Sequence, residues 1–218
     1  MKNLILVSGL ILSLCIAAGA QEATQGVTGM GLKLGFGFAN ISTDYDELDE
    51  FLDSRTGFSG GAFLTYNLNR QLAVQPEVLY VSKGAEKDLF IITPAWAMDY
   101  LEIPVLLKFA FTPDAKVRPN LFAGPAFALL LSSEVSASDY SFDVADGMKS
   151  MDVGFVLGGG LDFKRFTFDI RYTLGLVNVI DADKINELTE SEEGDYFYLE
   201  GDPSVKNTNI SFMFGVRF

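Results

Sequence analysis

Asn209-Ile210-Ser211-Phe212-Met213-Phe214-Gly215-Val216-Arg217-Phe218 is the stretch on which the reading of the fold turns. Ile210, Phe212, Phe214, Val216 and Phe218 fall on one face of an extended chain; Asn209, Ser211, Met213, Gly215 and Arg217 fall on the other. Alternation with a period of two marks a strand whose two faces meet different surroundings. A flat aromatic edge of this kind invites aggregation if left open, so the strand must be paired, most simply by closing a barrel.

The same alternation recurs upstream. Met30, Leu32, Leu34, Phe36 and Phe38 alternate with glycines, Lys33 and Ala39 in a first strand. A second is predicted over 57–68 and a third over 71–83, where Gln75, Glu77 and Lys83 share a face. A fourth carries Leu101, Ile103, Val105, Leu107 and Phe109 opposite Tyr100, Glu102, Leu106 and Lys108, and a fifth covers 117–131 with Arg118 and Asn120 on its weaker face. Val153, Phe155, Leu157, Leu161 and Phe163 oppose Asp152, Gly158, Gly160 and Asp162 in the sixth. Phe166, Phe168, Ile170, Tyr172 and Leu174 oppose Thr167, Asp169, Arg171 and Thr173 in the seventh. Short turns at 69–70, 112–116 and 164–165 alternate with long loops at 41–56, 84–97, 132–150 and 181–204. That asymmetry predicts an all-β fold: an eight-stranded antiparallel up-and-down transmembrane barrel with short periplasmic turns and long acidic external loops. Pro76, Pro104, Pro119 and Pro125 fall inside these strands, and lacking a ladder donor they are expected at bulges or strand ends.

Composition narrows the setting. The chain has 218 residues, a net charge of −13, no histidine and one cysteine, with 21 glycines and 19 phenylalanines. Lys2, the apolar run 4–17 and Ala18-Gly19-Ala20 read as a secretory signal over 1–20, leaving 21–218 as the barrel domain. The run is too short for a spanning helix, which needs about 20 apolar residues. Cys15 lies inside it, and Leu14 stands where a lipoprotein signal requires a small residue. The mature chain then has no thiol for a disulfide, a nucleophile or zinc. An acidic exported chain is a poor binder of nucleic acid. Alternation alone does not say which face is inside, so a soluble lipocalin-like barrel is the alternative fold. The glycines of the weaker face suit a narrow interior better than a solvated exterior, and terminal Phe218 suits delivery to the outer-membrane insertion machinery.

Several segments together resemble one family. They are Gly57-Phe58-Ser59-Gly60-Gly61-Ala62-Phe63, Leu72-Ala73-Val74-Gln75-Pro76-Glu77-Val78-Leu79-Tyr80, Tyr100-Leu101-Glu102-Ile103-Pro104-Val105-Leu106-Leu107-Lys108, Phe122-Ala123-Gly124-Pro125 and Asp169-Ile170-Arg171-Tyr172-Thr173-Leu174-Gly175-Leu176. In order and spacing they resemble the PorT-like outer-membrane β-barrel family over nearly all of the mature chain. The resemblance implies a small barrel related in shape to the surface domain of outer-membrane protein A. It also implies kinship with a member linked to a protein-secretion and gliding apparatus.

On the weaker, inward face stand Lys33, Glu77, Glu102, Lys108, Arg118, Asp152, Asp162, Asp169, Arg171 and Arg217, whose formal charges cancel. They could line a polar conduit or form a salt-bridged plug. The plug is preferred, because an eight-stranded interior is just wide enough for side chains to fill and an unpaired charge there is costly. Asp169 and Arg171, with Glu77 and Glu102 from two neighbouring strands, are the expected centre. Asp44-Tyr45-Asp46-Glu47 and the acids at 190–195 lack the order of a calcium loop. They read as solvated surface, with cation bridging to lipopolysaccharide as the sharper alternative. Tyr196, Phe197 and Tyr198 suit either the membrane interface or a partner. No Ser-His-Asp triad can form without histidine, and no nucleophile elbow, phosphate loop or zinc motif appears. No catalytic residue, cofactor or metal site is expected. The predicted role is a plugged, monomeric barrel of the Gram-negative outer membrane that acts structurally or through its loops on a surface partner. A narrow porin-like channel and a secretion-accessory protein are the alternatives.

Overall fold

The computed structural model describes residues 26–43, 53–86, 95–137, 140–143, 148–181, 184 and 205–218. The signal segment, the acidic stretch 44–52 and the aromatic triplet at 196–198 lie outside these residues. The strands are β1 (Gly26–Thr43), β2 (Asp53–Asn67), β3 (Leu72–Glu86), β4 (Ala95–Ala110), β5 (Val117–Ala137), β6 (Tyr140–Asp143), β7 (Met151–Phe163), β8 (Phe166–Gly175) and β9 (Val205–Arg217). They run in the order β4-β3-β2-β1-β9-β8-β7-β5-β6, and a further β4–β5 pairing closes the sheet on itself. The result is an all-β, closed antiparallel barrel of eight long strands, with β6 appended to the end of β5. The terminal stretch closes it, pairing with β1 from Gly31↔Arg217 to Thr43↔Val205 and with β8 from Phe166↔Val216 to Leu174↔Thr208.

Burial settles which face points where. Along β8, Phe166, Phe168, Ile170, Tyr172 and Leu174 are exposed, whereas Thr167, Asp169, Arg171, Thr173 and Gly175 are buried. Ile170 is 57% exposed and its neighbour Arg171 only 3%. A water-soluble barrel would invert this, because charged side chains are almost never buried when apolar ones are available. An apolar outer band over a polar interior is what the bilayer selects. At the turn end the band carries aromatic rings: Phe109 and Phe111 meet edge-on at 5.3 Å, and Phe166 stacks on Phe214 at 5.7 Å. Rings at this depth suit the membrane–water boundary.

Three features differ from the sequence-based expectation. The strands extend further into the loops, with β5 reaching 21 residues where about 9–11 suffice to cross. The predicted loop 132–150 accordingly contains the end of β5, which pairs with β6 from Glu134↔Asp143 to Ala137↔Tyr140, and Met148 bridges to Ile180. The prolines need no bulge. The register shifts lie at Val27/Gly29, Ser54/Ser59 and Asp99/Tyr100, and none falls at a proline. Beside Pro76, Pro104 and Pro125 pairing is instead interrupted and resumes in the same register: after Pro76↔Val105 it continues at Leu79↔Glu102, and after Pro104↔Ala126 at Leu107↔Ala123. Pro119, by contrast, pairs with Leu161 in an unbroken β5–β7 ladder, just past the end of the β4–β5 pairing. A missing donor therefore costs a ladder bond locally without displacing the strand.

Candidate functional site

The barrel interior holds the candidate site, and it divides into three layers along the bore. The middle layer is a tight ionic cluster. Lys33 of β1 donates to Glu77 Oε1 of β3 at 3.0 Å and also to Asp169 Oδ2 of β8. Arg171, also on β8, grips Glu77 with both terminal nitrogens at 2.6 and 2.9 Å and donates to Asp169 Oδ2 at 2.8 Å. Gln75 adds a further bond to Glu77 Oε1. All four charged side chains are 3% exposed or less. Two cations meet two carboxylates, and the paired, fork-like contact of Arg171 with Glu77 is the strongest geometry such ions adopt. Phe63 lies 4.8 Å beneath the Lys33 ammonium and Phe122 lies 5.4 Å from the Arg171 guanidinium, adding ring faces to the cluster.

Strand order gives this cluster its reach. β3 and β8 are four strands apart in either direction around the closed ring, so the Arg171–Glu77 contact spans the full bore. Lys33 stands midway between them on one side.

Towards the loops, Lys83 pairs with Glu102 at 2.7 Å and lies 5.2 Å from the Tyr100 ring. Asn207 donates to Asp152 Oδ2 at 3.0 Å and to the Tyr100 hydroxyl at 3.2 Å. Over this layer sits an apolar cluster of Met98, Tyr100, Ala128, Met148, Val179 and Val205, flanked by Trp96, Leu130 and Ile180. Met148 and Val179 enter it from outside the long strands, held by bonds from Lys149 N–H to Val179 O and from Val179 N–H to Val205 O. Between the middle and loop-end layers, Glu102, Arg171, Ser59 and Met213 border a void of about 10 Å³, room for one water at most.

The third layer, at the turn end, is built differently. Lys108, Arg118 and Arg217 surround a single carboxylate, Asp162, at 3.6, 3.9 and 3.3 Å. A polar cavity of about 170 Å³ opens among them, walled also by Asn67, Gln71 and Asn120.

Inward glycines leave no gap around these layers. A Cβ on Gly158 would stand 2.5 Å from the Phe122 ring, and one on Gly160 would stand 2.5 Å from Asp169 Oδ1. These positions are glycine because interior side chains from other strands already occupy the space.

All ten residues singled out in the sequence lie on the inward face; Lys33, Glu77, Glu102, Lys108, Asp152, Asp162, Asp169 and Arg171 are buried, and Arg118 and Arg217 half-buried. They do not form one network. Glu102 stands apart from the expected centre, because Lys83 claims it within the loop-end layer. Lys83 shares its strand face with Glu77, a period-two signal sufficient to add it to the set, and its inclusion tips the formal balance to positive. Tyr100, Gln75 and Asn207 are uncharged partners that only the spatial neighbourhood identifies. Phe218 is 74% exposed at the turn end, its N–H bonded to Met30 O at 2.8 Å.

Comparison with known proteins agrees with this architecture. The family model described as outer membrane protein beta-barrel domain matches residues 20–181. No curated protein matches the chain. Neisserial surface protein A superposes with a TM-score of 0.51 at 15% identity, over 88% of this chain and 99% of that one. The outer membrane protein OprG from Pseudomonas aeruginosa gives 0.48 at 13% identity, over 88% and 97%. Ail, the attachment invasion locus protein of Yersinia pestis, gives 0.43 at 15% identity, over 89% and 99%. At such identities the likeness is one of fold, and it rests on the first of the three. The family match covers most of the chain, the sheet closes, and the apolar face points outward: the chain belongs to the outer membrane protein beta-barrel domain family and is a small barrel of the Gram-negative outer membrane.

Proposed function

We propose that this protein is a sealed outer-membrane barrel whose work is done at its surface, structurally or by binding a partner through its external loops. One observation carries the reading: the Arg171–Glu77–Lys33–Asp169 cluster ties opposite walls of the bore together. A hydrated ion would have to break into a charge-balanced, buried ionic group, and each buried charge left without its partner costs about 3–5 kcal/mol. The apolar lid of Met98, Met148 and Val179 adds a second obstruction on the loop side. Single-channel recording of the refolded protein in planar bilayers tests the proposal. A silent bilayer is expected; reproducible openings would replace it with the porin-like reading and make the interior charges a selectivity lining.

Export through a signal over 1–20, insertion guided by the C-terminal strand, and contact with lipopolysaccharide complete the proposed setting. We read the chain as non-enzymatic, since it holds no histidine and the interior carboxylates Glu77, Glu102, Asp162 and Asp169 are each engaged in ion pairs. A secretion-accessory role is supported solely by the PorT-like segments, and normal secretion in a deletion strain would remove it.

A further inference from the structure

Four basic side chains, Arg70, Lys108, Arg118 and Arg217, border the turn-end cavity, against Asp162 alone among its acidic lining residues. Arg70 is turned outward to Asp114 at 3.4 Å, so Lys108, Arg118 and Arg217 share Asp162 as their ion-pair partner among the described residues, three cations to one carboxylate, with Asp169 of the middle cluster also acting on Lys108. None of the three makes a tight bond to it: their separations run from 3.3 to 3.9 Å, against 2.6 to 3.0 Å for Arg171 and Lys33 with Glu77. Lys108 is 5% exposed, and its ammonium makes no hydrogen bond among the described residues; its contacts are Asp162 at 3.6 Å and the Phe122 ring at 5.8 Å. Arg217 Nε, in the same wall, is buried without a hydrogen-bond partner. A buried ammonium and a buried guanidinium Nε with unused donors are costly to hold, and here their side chains border a polar space about 170 Å³ in volume. Such a space has room for a group the size of several waters.

We propose that this vestibule binds a small oxyanion of the phosphate class, with Lys108, Arg118 and Arg217 as its donors. A tetrahedral anion can accept from the guanidinium forks and the ammonium together, which is the geometry Arg prefers for phosphate. Asp162 then offsets only part of the mutual repulsion of the three cations in the empty state. The bore is filled above the vestibule by the middle cluster, so the site is a blind pocket reached from the turn side. Its ligand has two sources with the same chemistry: a free phosphate in the periplasm, or the phosphodiester of a lipid headgroup at the inner leaflet.

The experiment follows the thermal unfolding midpoint of the refolded protein in zwitterionic micelles as sodium phosphate replaces sodium chloride at constant ionic strength. A saturable rise of several degrees is expected with phosphate, as for any ligand that binds only the folded state. The Arg118→Gln/Arg217→Gln variant should lose that increment. If this variant does not refold, Arg118→Gln alone, at a half-exposed position, should at least halve it. A midpoint that responds equally to phosphate and chloride, or an increment that survives these substitutions, overturns the proposal. Repeating the titration with short-chain phosphatidylglycerol against phosphatidylcholine separates the sources: a larger gain with phosphatidylglycerol than with phosphate assigns the headgroup, and a gain with phosphate alone assigns the free anion.

Discussion

The middle and turn-end layers of the bore use the same residue types and reach opposite outcomes. In the middle, two cations and two carboxylates lock at hydrogen-bond distance from strands on opposite walls. At the turn end, three cations crowd one carboxylate at ion-pair distance, around open space. The difference is stoichiometry together with depth. A deeply buried charge must be matched and bonded because water cannot compensate it, whereas charges bordering an open cavity retain access to solvent or a ligand. One layer is therefore suited to hold the barrel, and the other to hold something else.

The largest effect that would sharpen this contrast comes from Arg171→Ala, which leaves Glu77 and Asp169 buried with Lys33 as their sole remaining cation in the cluster. A loss of about 3–5 kcal/mol is expected, seen as a lower midpoint for the heat-dependent gel shift of the folded barrel. An unchanged midpoint would remove the middle layer as the support of the fold. Gly158→Ala comes next. The added methyl would press on Phe122 and the Ile170 carbonyl at 2.5 Å, and overpacking of this kind costs about 1–3 kcal/mol. A neutral result would mean that the interior has slack. Asp162→Asn should cost less than Arg171→Ala, because its three partners border an open cavity, with the loss shrinking as salt is added. If it matches Arg171→Ala, the two layers are energetically alike and the contrast breaks. Arg70→Ala, whose partner Asp114 is well exposed, should leave the midpoint unchanged within error.

The barrel was legible in the sequence because its cause is local. Side chains of a strand alternate every residue, so Phe212, Phe214 and Val216 announce their common face without reference to anything distant. The charged interior was legible for the same reason: Asp169 and Arg171 sit between exposed Phe168, Ile170 and Tyr172. Pairing across the bore was not. That Glu77 meets Arg171 while Glu102 meets Lys83 depends on ring order and vertical stagger, which no window of sequence encodes. The extension of β5 and the presence of β6 were hidden by Ser132, Ser133 and Glu134, whose polarity resembles that of a loop. Lys83 was visible on its face, and only its partner was hidden.

Because β3 and β8 lie on opposite walls, the contact between Glu77 and Arg171 requires the walls to have come together. Each hairpin can form its ladder without it, but the clasp engages only as β9 seals against β1. It is a late event, so its strength should govern how slowly the finished barrel opens and not how fast the chain assembles. Arg171→Ala should then accelerate unfolding while leaving the rate of insertion near its original value. In an envelope where synthesis is remote, the clasp would be read out as lifetime.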